Sequence, residues 1–293
     1  MHVLRTLSRL SRPLYLVLAA LTYFLGAGIA RYLGSRLDAG IMMLGLLGTV
    51  LAQASMALLA VVYTPVTEAL VEGETREQRR LVRNAALYLS AAALAAIGFI
   101  GFVLGGEGRL SMSAALLMGL WLLGILLYAV PPIRLLDRGF GELLVAVQIG
   151  YLAPSIGFLI QAGGPHRLLS ACGAALTLLL AATLLALNFP SYGEDLRLGH
   201  STALTRMGWE QALRTHHMLV ICAYLVLALS ALLGFSFELF LPAFLTLPFA
   251  GLQVYLLRGI GLGARPIWRL LTANAVALFG LTAYFLTLSF WLR

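Results

Sequence analysis

The chain has 293 residues, 61% of them hydrophobic and 11% charged, with a mean hydropathy of +0.93. A soluble domain carries about a quarter of its residues as charges, so this composition excludes one and leaves a polytopic membrane protein. The formal charge of +8 comes from arginines between apolar runs. No basic stripe on a soluble surface is available, so the charge points to orientation in a bilayer rather than to nucleic acid.

A membrane-crossing helix needs about 20 mostly apolar residues. Nine stretches qualify: 13–33, 39–62, 85–104, 112–130, 142–163, 168–188, 216–236, 238–257 and 268–292. The first begins after Arg12, is longer than a signal-peptide core and lacks a small-residue cleavage site, so a retained span is expected. The seventh and eighth are separated only around Phe235 to Glu238, which predicts a tight helical hairpin. The expected architecture is one all-α domain over residues 1–293, a nine-span bundle in the cell (inner) membrane. Cys172 and Cys222 each lie alone in an apolar run and are expected as small buried residues. The chain has no lysine, which removes Schiff-base chemistry.

Fifteen of the twenty arginines fall in the N-terminal tail and in the loops after spans two, four, six and eight; five fall on the other side. The positive-inside rule then places the N-terminus and the even loops in the cytoplasm. Nine of the twelve acidic residues lie on the same side. Orientation does not require that, so the face has another use for carboxylates.

Two polar loops concentrate them. After span two come Thr64, Glu68 and Glu72, spaced to share one face if the helix continues. After span six come Asn188, Ser191, Glu194 and Asp195, with Arg197 and Arg206 and glycines at 193, 199 and 208. Facing carboxylates suit Mg²⁺, which prefers a few carboxylates plus water and substrate phosphate. Nearby arginines suit phosphate oxygens. The same residues also suit a solvated, charge-balanced helix in the first loop and a capped turn in the second. His200, His216 and His217 read as surface or interfacial groups.

Two segments resemble the UbiA-type intramembrane prenyltransferases, nearest the branch that prenylates 1,4-dihydroxy-2-naphthoate. Residues 128–163 are similar in their Tyr, double Pro and Arg-Gly-x-Gly-Glu pattern; Asn188 to Gly208 is similar to that branch's second Asp-rich loop. The nine spans and the arginine-rich face agree. The resemblance implies a bundle around a lipid-open cavity and Mg²⁺-assisted loss of diphosphate from a polyprenyl diphosphate. An aromatic acceptor then attacks the allylic cation.

Carried over residue by residue, the resemblance makes Glu68, Glu72, Glu194 and Asp195 the metal ligands. Arg76, Arg80, Arg197, Asn188 and Ser191 hold the diphosphate, and Tyr128 lines the cavity beside the cation. The chain departs from the family at Thr64, Pro65 and Ser191, where asparagine or aspartate is usual, and at Glu68, one methylene longer than aspartate. The alternative is a UbiA-fold protein without catalysis that binds isoprenoid or quinone lipids or a partner enzyme. A transporter is the third reading, but no buried charge is expected within a span to serve it.

Overall fold

The computed structural model describes residues 2–65, 70, 75–232 and 234–293. Among these residues there are helices and turns and no strand. A short helix, α1 (His2–Leu10), precedes α2 (Pro13–Tyr32), α3 (Ala39–Val62), α4 (Arg76–Gly106) and α5 (Met112–Ala129). The fifth span is α6 (Gly141–Val147) joined to α7 (Ala153–Ala162) through a wide turn at Gln148–Leu152. Then come α8 (Arg167–Asn188), two short helices α9 (Tyr192–Leu198) and α10 (Ala203–Met207), α11 (Trp209–Leu232), α12 (Phe237–Phe244), α13 (Leu247–Gly261) and α14 (Trp268–Leu292).

Among the described residues eight helical segments are long and apolar enough to cross a membrane, and α12 with α13, bent by 44°, makes a ninth span. The predicted order therefore holds. The wide turn in the fifth span and the bend in the eighth have one cause. Pro154 and Pro248 lie at the first positions of α7 and α13, and proline removes a backbone donor and clashes with the preceding turn.

Two helices reach further than their apolar runs. In α4 the extension begins at Thr75, whose side chain and that of Gln78 close a reciprocal cap. That cap satisfies free N–H groups outside the membrane. Helix α11 begins at Trp209 rather than 216. The first polar ladder departs from expectation in the opposite way. Helix α3 ends at Val62, before Thr64, because Pro65 disfavours helical backbone in the residue ahead of it. Cys172 is buried as expected, whereas Cys222 is exposed on α11. His216 is buried rather than interfacial.

The centre of the bundle is the seam between α2 and α7. A Cβ on Gly26 would lie 1.8 Å from the Pro154 carbonyl oxygen, and one on Gly157 would lie 2.4 Å from that of Tyr23. Only glycine permits this backbone approach, the packing that replaces the hydrophobic effect between helices in lipid. The seam fixes the fifth span against the first, and with it the start of α6 beneath the second polar loop.

Candidate functional site

The site is built where α5, α6 and α8 end or begin at the arginine-rich face. Helix α8 runs through a tight turn at Phe189–Ser191 straight into α9, so the helical spacing of Ser191 and Asp195 survives. Ser191 Oγ donates to Asp195 Oδ2 at 2.8 Å. Asp195 is 9% exposed, whereas Glu194 and Arg197 are exposed on other faces of α9. Helix α9 closes at Gly199, whose φ of +72° suits a residue without Cβ. The reversal lets the His200 N–H donate to the Asp195 carbonyl at 2.8 Å. It also brings His200 Nδ1 to 3.5 Å from Asp195 Oδ1. Both carboxylate oxygens thus have a polar neighbour supplied by this one loop.

The loop is held from outside by two sets of contacts. On its apolar side Phe189 meets Trp209 edge-on at 4.7 Å, and Tyr192 lies 5.6 Å from the same ring. On its polar side Glu142 Oε1 accepts from Asn188 Nδ2 at 2.6 Å and from the Ala203 N–H at 3.3 Å. One carboxylate at the start of α6 therefore ties together both ends of the loop. Arg206 closes the margin by donating to the Arg138 carbonyl at 2.9 Å, with its guanidinium 4.2 Å above the Phe140 ring.

Beside Glu142 sits Tyr128, 1% exposed at the end of α5, whose hydroxyl accepts from Arg12 Nη1 at 2.9 Å. Tyr128 foremost, then Tyr15 and Glu142, raise the pKa of Arg12 against the opposing cost of desolvation, so its charge is fixed. Arg12 and Arg134 are the two non-glycine residues with positive φ among those described, at 53° and 33°. Such backbone costs about 1–3 kcal/mol and persists where the surroundings over-determine it.

The first polar loop is described at its flanks. Arg83 Nη2 donates to the Thr64 and Pro65 carbonyls, and Arg134 Nη1 donates to that of Tyr63 while Arg134 Nε lies 3.1 Å from Asp137 Oδ2. These arginines meet the free carbonyls and negative dipole at the end of α3. Arg76 and Arg80 are exposed on the first turns of α4. Glu68, Glu72 and Glu74 lie outside the described residues.

The structure thus brings together Asn188, Ser191, Asp195 and Tyr128, and sets Glu194, Arg197, Arg76 and Arg80 on exposed surface. Asp195 and His200 open onto a groove walled by Asp137, Arg138, Phe140 and Arg206. Sequence reasoning missed Glu142, Arg12 and His200 as parts of the site. The signal for Glu142 was present in the Arg-Gly-x-Gly-Glu pattern of the 128–163 segment. For His200 it was Gly199, which turns the chain back. Among the described residues no three His, Cys, Asp or Glu side chains gather as a metal site. Asp195 and Ser191 supply hard oxygen donors of the kind Mg²⁺ takes, so they fit as part of a shell completed by other groups.

No protein-family model matches the sequence, and no curated protein matches it. Solved structures do. A UbiA homolog from Archaeoglobus fulgidus bound to geranyl diphosphate (GPP) and Mg²⁺ aligns with a TM-score of 0.64 at 20% identity, over 95% of this chain and 98% of that one. The same homolog bound to Cd²⁺ gives 0.62 at 19% identity, over 95% and 99%. A digeranylgeranylglyceryl phosphate synthase gives 0.68 at 14% identity, over 100% and 98%. Over nearly its whole length the chain shares the fold of these UbiA-type proteins.

Proposed function

We propose that the protein is an intramembrane prenyltransferase that uses Mg²⁺ to take a polyprenyl group from its diphosphate and passes it to an aromatic acceptor. The observation that carries this reading is Asp195. It is a buried carboxylate at the end of a span, with Ser191 and His200 at its two oxygens, opening onto a groove with arginines. The UbiA-type fold supports the reading, since one protein that shares it was solved with GPP and Mg²⁺.

In this reading Asp195 and Ser191 offer oxygen donors on the second loop, and Glu68 and Glu72, assisted by Glu194, complete the set. Bound Mg²⁺ supplies charge neutralisation to the departing diphosphate. Arg76, Arg80 and Arg197 stand on the same face to hold diphosphate oxygens. Arg12 keeps a fixed positive charge beside Tyr128, whose ring faces the passing allylic cation. Glu142 acts through Asn188 and Ala203, as a positioning residue. The arginine-rich face, with the N-terminus, lies in the cytoplasm of the cell membrane. By resemblance the acceptor is of the 1,4-dihydroxy-2-naphthoate type.

The test is turnover by the purified protein with a panel of prenyl diphosphates and aromatic acceptors, with and without Mg²⁺. Metal-dependent product supports the enzyme. A second reading, a non-catalytic isoprenoid- or quinone-binding protein, draws support from Ser191 standing where the family has a carboxylate. Prenyl-diphosphate binding without any product across the panel would favour it.

A further inference from the structure

The turn between α13 and α14 is built differently from the two polar loops. Residues 258–269 read RGIGLGARPIWR, with three arginines, no acidic residue and no Ser, Thr, Asn, Gln or His. Turns that face only water draw on Asn, Asp and Ser. Here Leu262 is 80% exposed and Ile267 61%, with Arg258, Arg265 and Arg269 exposed around them.

The arginines are not committed elsewhere. From Leu239 to Arg293 the chain has no Asp or Glu, and among the described residues none of the three makes a hydrogen bond or an ion pair. Arg83, Arg134 and Arg206, by contrast, hold backbone carbonyls.

The backbone of the turn is satisfied without water. The N–H groups of Leu262, Gly263 and Ala264 donate to the Arg258, Ile260 and Gly259 carbonyls at 3.1, 3.0 and 2.9 Å. A backbone paired in this way can lie at the surface of a bilayer. Two neighbours fix its level and its place. Tyr255, 74% exposed one turn before Arg258, is an amphipathic ring of the kind that sits among headgroups. Trp268 packs against the cluster that buries Phe189, so the turn lies at the same end of the bundle as the second polar loop.

We infer that this turn is a docking surface for the headgroups of anionic phospholipids. Leu262 and Ile267 enter the boundary between headgroups and acyl chains. The three guanidinium groups take phosphate oxygens around them. Charge selects the lipid, because no carboxylate in the segment opposes an anion. The exposed apolar pair gives a lipid an advantage that a soluble anion lacks. The surface is distinct from the Asp195 groove and does not depend on prenyl transfer.

Native mass spectrometry of the full-length protein in detergent, titrated with phosphatidylglycerol or with phosphatidylcholine of the same acyl chains, reads the preference directly. The wild type should retain phosphatidylglycerol about 100-fold more tightly, about fivefold for each arginine. Arg258→Gln, Arg265→Gln and Arg269→Gln should each remove about that fivefold, and the triple variant should bind the two lipids alike. These side chains are exposed, so an unchanged thermal midpoint should accompany the loss. Leu262→Ser should weaken both lipids, and inorganic phosphate should displace neither. Arg36→Gln, exposed at the opposite end of the bundle, should leave the preference intact. Equal retention of the two lipids by the wild type would overturn the assignment and leave the surface to an acidic protein. Displacement by phosphate would overturn it in favour of a soluble anion, and an equal loss from Arg36→Gln in favour of net charge alone.

Discussion

At the end of α3 the last carbonyls, on Tyr63, Thr64 and Pro65, are met by guanidinium groups from Arg134 and Arg83. At the end of α8 the sign is reversed. There a carboxylate, Glu142, meets an amide side chain and a backbone N–H, and aromatic rings hold the outer side. The difference shows that both signs of charge on this face are used to hold backbone and loop ends in place. Arg83, Arg134 and Arg206 are committed to backbone carbonyls, and Glu142 to backbone and amide donors. Asp195 is the acidic side chain of the second loop that is both buried and open to a groove.

This contrast can be broken at graded points. Trp209→Ala should have the largest effect on the fold, removing the ring that both Phe189 and Tyr192 touch. A loss of about 3 kcal/mol is expected, read as a lower thermal midpoint in detergent. Glu142→Ala should follow, since it leaves Asn188 and Ala203 without their acceptor, at about 2 kcal/mol. Protease cleavage within 199–206 should rise at the same time, and Glu142→Gln should recover most of the loss because it keeps an acceptor oxygen. If Glu142→Ala leaves cleavage unchanged, the carboxylate is not what holds the loop.

Arg83→Ala tests the opposite arrangement. It frees the Thr64 and Pro65 carbonyls near the surface, where water replaces part of the contact, so about 1 kcal/mol is expected, again from the thermal midpoint. Thr75→Ala removes one half of the reciprocal cap of α4 and should cost about 1 kcal/mol or less. A larger effect for Thr75→Ala than for Arg83→Ala would mean that the cap, not the guanidinium, fixes the approach to the first loop.

The spans were legible because bilayer thickness converts directly into apolar run length. The count, the order and the shared face of the polar loops all follow from that rule. The broken eighth span was not marked, although Pro248 supplies its cause, because apolar composition is blind to a missing donor. Ser191 and Asp195 were legible as neighbours through their four-residue spacing. Glu142 and Arg12 were not, because their partners, Asn188 and Tyr128, are 46 and 116 residues away. Spacing carries information along one helix; contacts between helices depend on packing such as the Gly26–Pro154 approach. The carbonyl-capping roles of Arg83, Arg134 and Arg206 were not legible either, because charge alone does not mark a carbonyl cap.

The account rests on Asp195 being the second-loop carboxylate of a diphosphate site, and Mg²⁺-dependent affinity for geranyl diphosphate tests it most directly. It should be measured for the wild type, Asp195→Asn and Ser191→Asp. Asp195→Asn should weaken the metal-dependent part about 100-fold, the scale of removing a preorganised electrostatic group. Ser191→Asp should strengthen it, because it adds a carboxylate within reach of Asp195, where the serine hydroxyl now lies at 2.8 Å. Affinity that ignores Mg²⁺ in all three proteins would contradict the account.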